Sequence, residues 1–392
     1  MEGKPRKIGL ALSGGGSRAV AFHLGCMRAL NDRGILDKVS TLSTVSGGSV
    51  IGGLWAYSDD SFEKFDIRIQ ELLRNGLRGG ILKFTLCSGT TLKIIATVLT
   101  SGLLTAICSS INLFSKLLRI LGVPASALRR IANHLQAPLP RFASMTTAFS
   151  EFLDREYFKG TILKNIKRRN LRIVINASEL RTQSAYRFGS DESGCWRFGI
   201  LADDTKVAKA VAASAAFPVL LPALDEQRRY INKLGETSIH RTIVTDGGVY
   251  DNLGTSCLVP GRSSDYSTNV GEIDFIIACV AGQGLPDGSS VPYLWPSRMI
   301  ATLDTIHRRT HSMTFDLLHK LKDSGKIEGF LLPYLGQNDS ALTCPPKDLV
   351  SRDATFDYPT NFDPMTQEDI ELLTKRGEQL TRNLIETYHP EL

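Results

Sequence analysis

Among the 7 cysteines of the chain, at 26, 87, 108, 195, 257, 279 and 344, there is no C-x-x-C pair, and the odd count leaves one thiol over in any complete disulfide scheme. That pattern argues against a disulfide-stapled secreted scaffold and fits reduced, packed thiols in a cytoplasmic protein. The histidines are equally sparse, 7 in 392 residues. They are scattered, and no Cys/His group has ligand spacing, so neither a metal nor any other cofactor is expected. The lack of a G-x-x-x-x-G-K-[ST] run removes the commonest nucleotide-phosphate loop. After the charged first residues the apolar run from Ile8 stops at Ser13, too soon for a secretory core, so no export signal is expected. Internal repeats and low-complexity tracts are missing as well.

What is present is ordinary globular composition, 42% hydrophobic and 22% charged, with a formal charge of +6. A surplus of that sign suits an anionic surface such as phospholipid, and no recognised module accompanies it that would read nucleic acid. Its densest cluster, Lys164, Lys167, Arg168, Arg169 and Arg172, reads as a solvated helix face leading into a strand.

Nearly continuous apolar runs at 8–13, 39–45, 171–177, 242–245, 273–280 and 329–333 predict buried strands. Helical spacing predicts helices near 18–33, 49–57, 205–215, 297–321 and 367–388, the last capped by Thr366. Alternation of the two predicts an α/β fold, a three-layer α/β/α sandwich with a mostly parallel central sheet. Residues 59–159 break the alternation and read as a helical insertion, either a lid or a membrane-contacting element. Within it, 94–115 carry no charged side chain, a length able to cross a bilayer. The expected organisation is one domain over 7–340 with that insertion, and a helical extension over 341–392 packed on it.

Three small-residue turns carry the chemistry. Ser46 lies between a strand and a helix, in Thr44-Val45-Ser46-Gly47-Gly48, where small neighbours leave a hydroxyl uncovered on a strained turn. Asp246 ends another strand ahead of Gly247 and Gly248, and ligand sites in open parallel sheets gather at such strand ends. The loop Gly14-Gly15-Gly16-Ser17-Arg18 can turn consecutive backbone N–H groups toward an anion. A nucleophile, a base and an anion-stabilising loop together predict a serine acyl hydrolase.

In order along the chain, Gly14-Gly15-Gly16-Ser17-Arg18-Ala19, Val45-Ser46-Gly47-Gly48-Ser49 and Asp246-Gly247-Gly248 resemble the three signature blocks of the patatin-like phospholipase family. Two more segments agree, Val174–Leu180 and Ala213–Pro218. Thr44 stands where that family usually has the first glycine of its serine motif, and Ala19 where its loop often ends in glycine. The resemblance implies a Ser-Asp dyad that hydrolyses lipid acyl esters without a catalytic histidine. By position, Ser46 is then the nucleophile, Asp246 the general base, and the loop from Gly14 to Arg18 the oxyanion hole. A lipid at a membrane surface is the expected partner, for a cytoplasmic or peripheral membrane protein.

Two other readings compete. His307, His311, His319 and His389 follow Asp246 in the chain order of an α/β-hydrolase triad, and a lipid-binding module that has lost turnover would keep the same fold.

Overall fold

The computed structural model describes residues 6–87, 90–135, 143–218, 221–286, 288–289 and 291–392. Its strands are β1 (Ile8–Leu12), β2 (Val39–Val45), β3 (Arg172–Glu179), β4 (Ser184–Gly189), β5 (Ser193–Cys195), β6 (Gly199–Leu201), β7 (Leu224–Ile231), β8 (Thr237–Asp246), β9 (Phe275–Cys279) and β10 (Gly329–Leu331). The helices are α1 (Gly16–Asp32), α2 (Gly47–Ala56), α3 (Phe62–Asn75), α4 (Arg78–Cys87), α5 (Thr90–Ile120), α6 (Ser126–Leu135), α7 (Met145–Leu153), α8 (Val207–Ser214), α9 (Gly248–Asp251), α10 (Trp295–Asp323), α11 (Asp353–Phe356) and α12 (Gln367–Tyr388).

All ten strands join one sheet in the order β10-β9-β1-β2-β3-β4-β5-β6-β7-β8. The half from β10 to β3 is parallel, and from β4 onward each pairing is antiparallel. The parallel half of the sheet is buried on both faces. Along β9, Phe275, Ile277 and Cys279 point into the larger apolar cluster with α1, α2 and α12, while Ile276 and Ala278 point into a second one with Leu318 and Leu321 of α10. Alternate side chains of one strand thus serve two cores, which is the three-layer sandwich predicted from the apolar runs.

The antiparallel half was less visible in the sequence. β7 and β8 form a long hairpin, Leu224 opposite Val244 through to Ile231 opposite Thr237. Only the end of β8 is apolar enough to read as a buried strand. The rest carries polar side chains on a face that is not covered, so it lacks the continuous run that marked the parallel strands.

The register around β3 is what builds the site. β2 runs up one edge of β3 and stops with Val45 opposite Asn176. β8 comes from the other direction and stops with Asp246 opposite Ala177, while β4 fills the remaining edge of β3. The ends of β2 and β8 therefore meet tip to tip on the same edge of one strand. Ser46 is the next residue after the first end, and Asp246 is the last residue of the second.

Candidate active site

Ser46 has φ 51° and ψ −117°, a left-handed conformation that a residue with a Cβ adopts only when its surroundings enforce it. The enforcement comes from two glycines. A Cβ on Gly47 would overlap the Gly16 carbonyl oxygen, and one on Gly48 would overlap the Leu12 carbonyl oxygen. The Ser46 turn is thus pressed against the end of β1 and the glycine loop, closer than any side chain allows. Thr44, the unusual residue of this turn, is fully buried and directed toward α2. Its hydroxyl accepts from Ser49 Oγ at 3.0 Å, and its methyl occupies the space that a side chain on Gly52 would need. The bulk of the threonine is therefore absorbed on the helix side of the turn. Val45 is buried against the other turn, with Gly247 and Gly254 close to its methyls.

Asp246 is 2% exposed and Ser46 9% exposed. Burial pushes the Asp246 carboxyl up to about 7, against the opposing pull of the Gly248 N–H and the Ser46 hydroxyl, which favour the ionised form. The Gly248 N–H donates to Oδ1 at 2.6 Å. Oδ2 is buried and, among the described residues, has no hydrogen-bond partner at normal geometry. The Ser46 hydroxyl is therefore near enough to act on the carboxylate but not locked to it, a looseness common in sites without substrate. A carboxyl with one anchored oxygen and one idle oxygen beside a strained serine can take up that serine's proton.

The glycine loop divides its donors. The Gly14 N–H is bound to the Asn252 carbonyl at 3.0 Å and the Ser17 N–H to the Asn361 carbonyl at 2.7 Å. Between them, the N–H groups of Gly15 and Gly16 have no acceptor among the described residues. Both glycines have positive φ, 144° and 60°, a backbone that glycine adopts at little cost. Arg18 holds the loop from behind. Its Nε donates to the Ala281 carbonyl at 3.0 Å and its Nη1 to the Tyr358 carbonyl at 2.8 Å. Burial lowers its pKa to about 10, opposed by Asp304 and Tyr358, so it stays a cation at neutral pH.

Two further residues belong to the site. Ser214 Oγ accepts the Ser46 N–H and donates to the Asn176 carbonyl, while its own carbonyl accepts the Gly247 N–H. Asn252 places its Oδ1 where a Cβ on either Gly14 or Gly248 would collide with it, between the loop and the base turn. Ser214 lies in a segment that matches the family, but nothing in the sequence sets it apart from its alanine neighbours. Asn252, a loop asparagine after a short helix, gave no signal of its own.

The histidines separate into two groups. His389 packs edge-on against Phe275, the first residue of β9, and His319 against Phe330, both far from the carboxyl strand ends where Ser46 lies. His307 and His311 are nearer, on α10. The backbone of Gly248 and Asp304 act on His307, and burial holds it below the usual histidine value. His311 is lowered to about 4 by burial, then by the charge of His307. Neither is among the groups that act on Asp246. Behind the loop, His23, Cys26 and Cys279 bring their ligand-type atoms within 4.8 Å of one another, a convergence that the 252 residues between the two cysteines hid from the sequence. A closed structural zinc site takes four ligands, and these are three.

With this geometry in place the comparison with known proteins is direct. The family model for patatin-like phospholipase matches residues 10–258, more than half of the chain. The chain belongs to the patatin-like phospholipase family. That family carries lipid ester hydrolysis, and its match spans the glycine loop, the Ser46 turn and the Asp246 turn. Among solved structures, human GIVD cytosolic phospholipase A2 is similar over 97% of this chain and 61% of its own, with 12% identity and a TM-score of 0.51. The chain thus spans about 61% of that enzyme's length. VipD from Legionella pneumophila is similar over 98% of this chain and 67% of its own, with 15% identity and a TM-score of 0.38. At such identities the likeness to the human enzyme is one of fold. No curated protein matches the chain by sequence.

Proposed function

We propose that this patatin-like protein is a serine lipid acyl hydrolase that cleaves carboxylic esters of membrane lipids through a Ser46–Asp246 dyad. The observation that carries the reading is the idle, buried Oδ2 of Asp246 beside Ser46, on a carboxyl whose pKa of about 7 matches the task of a base near neutral pH.

In the first half-reaction Ser46 Oγ attacks the ester carbonyl carbon as its proton passes to Asp246. The carbonyl oxygen becomes an oxyanion, and the N–H groups of Gly15 and Gly16 are the donors free to receive it. When the tetrahedral species collapses, the leaving alcohol takes the proton back from Asp246, and the acyl group remains on Ser46. In the second half, Asp246 takes a proton from water as that water attacks the acyl carbonyl. The fatty acid leaves and Ser46 regains its proton. No histidine is required, because one carboxylate relays the proton in both directions. Gly14, Ser17 and Arg18 act by holding the loop, since the N–H groups of Gly14 and Ser17 and the Nε and Nη1 of Arg18 are already engaged.

Incubation of the purified chain with a panel of phospholipids, lysophospholipids and neutral glycerides, with released fatty acid identified by mass spectrometry, tests this. Release by the parent and none by Ser46→Ala is expected. Equal release by both would refute the assignment.

A further inference from the structure

The α5–α6 hairpin is a large element that the chemistry leaves unused. One stripe of α5, Ile94, Thr97, Ser101, Leu104, Cys108 and Ile111, recurs every three or four residues and is buried or half-buried. It meets the rest of the chain where Cys108 reaches the Ala132 carbonyl on α6 and where Thr97 accepts the Ala143 N–H. Apart from Thr91 ahead of it and Ser115 and Leu118 beyond it, the described side chains of α5 outside that stripe are exposed. Leu99 is 67% exposed, Leu103 64% and Leu113 70%, and only 11% of the most apolar window of the helix is buried. An apolar face of this extent on a protein surface marks an interaction site.

Two observations say what covers it. The exposed hydroxyls of Thr100, Thr105 and Ser110 bond to the carbonyls of Ala96, Ser101 and Ala106, one turn back in the same helix. These side chains ask nothing of water, which is how such residues are accommodated in lipid. The second observation is charge. From Leu72 to Ser150 the chain has no aspartate or glutamate but nine lysines and arginines, whereas acidic residues outnumber basic ones over the rest of the molecule. The whole positive surplus of the protein therefore resides in and around the apolar hairpin.

We propose that this hairpin is a lipid-docking element that sinks the outer face of α5 into the interface of an anionic bilayer while its basic residues meet the headgroups. It lies in the interface and does not cross. Both ends of the insertion return to the body, through buried Ile81 on α4 and buried Ala148 and Phe149 on α7, so the chain would have to cross an even number of times. Among the described residues α5 alone is long and apolar enough to do so. The purpose, delivery of the active site to its substrate, rests on the hydrolase reading, but the docking itself does not.

Full-length Ser46→Ala, which cannot consume the lipid, is mixed with vesicles of phosphatidylcholine alone or with added phosphatidylglycerol and floated on a density gradient. It is expected to float with the anionic vesicles, and Leu99→Glu/Leu103→Glu in the same background to lose on the order of tenfold in partitioning. With Ser46 intact, the double variant should hydrolyse a soluble short-chain ester as fast as the parent, which also reports its fold. Flotation of the double variant equal to that of its parent would overturn the proposal. So would a parent that self-associates in light scattering and leaves both vesicles untouched, because a second copy would then be the occupant. Flotation without any ester hydrolysis by the Ser46-intact chain would remove the hydrolase reading and leave the docking standing.

Discussion

Ser214 Oγ lies 3.0 Å from the backbone nitrogen of Ser46 and accepts its N–H. The same residue accepts the Gly247 N–H on its carbonyl at 3.2 Å and contacts Ser49 Oγ at 2.8 Å. One fully buried serine thus ties the Ser46 turn to the Asp246 turn. Ser214→Ala leaves the Ser46 N–H without its partner, at a cost of about 1–3 kcal/mol. Because the turn it releases is strained, kcat is expected to fall about tenfold to a hundredfold with KM little changed. Steady-state kinetics beside a thermal melt will check this; an unchanged kcat would remove Ser214 from the positioning of the dyad.

The pH dependence follows from Asp246. Its folded pKa of about 7 lies above the ordinary aspartate value of 3.8. In the proposed role of base it must be ionised, so kcat/KM is expected to rise with pH through about 7 and then level off. Stability runs the other way. Between the two values the folded state holds a proton that the unfolded state has released, so stability declines as pH rises across that window and stays lower above it. The cost is at most about 4 kcal/mol above neutrality. Asp246→Asn should therefore lose activity yet melt higher than the parent at pH 8, with no advantage at pH 4. A lower melting temperature at pH 8 would mean that the carboxylate is stabilised in the fold, contrary to its burial.

The contact between the nucleophile turn and the glycine loop is testable by one methyl group. Gly47→Ala drives a Cβ into the Gly16 carbonyl and must separate the two turns. A loss of about a hundredfold in kcat/KM is expected. Gly79→Ala, where an added Cβ meets nothing within 4 Å, is the matched control and should behave as the parent. Equal activities in the two variants would show that the close approach is not needed.

Histidine replacement distinguishes the dyad from a triad. His307→Ala and His311→Ala are expected to keep activity within a few-fold of the parent, since neither imidazole acts on Asp246. Abolition of ester hydrolysis by either substitution would make that residue the base.

The parts of this molecule that were legible in sequence are those whose signal is local. The apolar runs of β1, β2 and β9 are buried on both faces and therefore continuous. The turns at Ser46 and Asp246 show themselves by small residues at a strand end. What was hidden depends on pairings across long stretches of chain. The head-to-head meeting of β2 and β8 exists because both stop beside consecutive residues of β3, and nothing within either strand encodes that. The brace on the glycine loop is contributed by Ala281, Tyr358 and Asn361, more than 260 residues away. β7 was missed because its charged, half-open face lacks the pattern of a covered strand. Nothing sets Ser214 apart from its alanine neighbours in the sequence, and its contacts are visible only once three backbones converge on it.

The most direct test of the dyad is covalent labelling with a fluorophosphonate, followed by peptide mass spectrometry to locate the adduct. The account predicts one adduct, on Ser46, slowed in Asp246→Asn and missing in Ser46→Ala. An adduct on any other residue, or labelling of Ser46→Ala as fast as the parent, would contradict it.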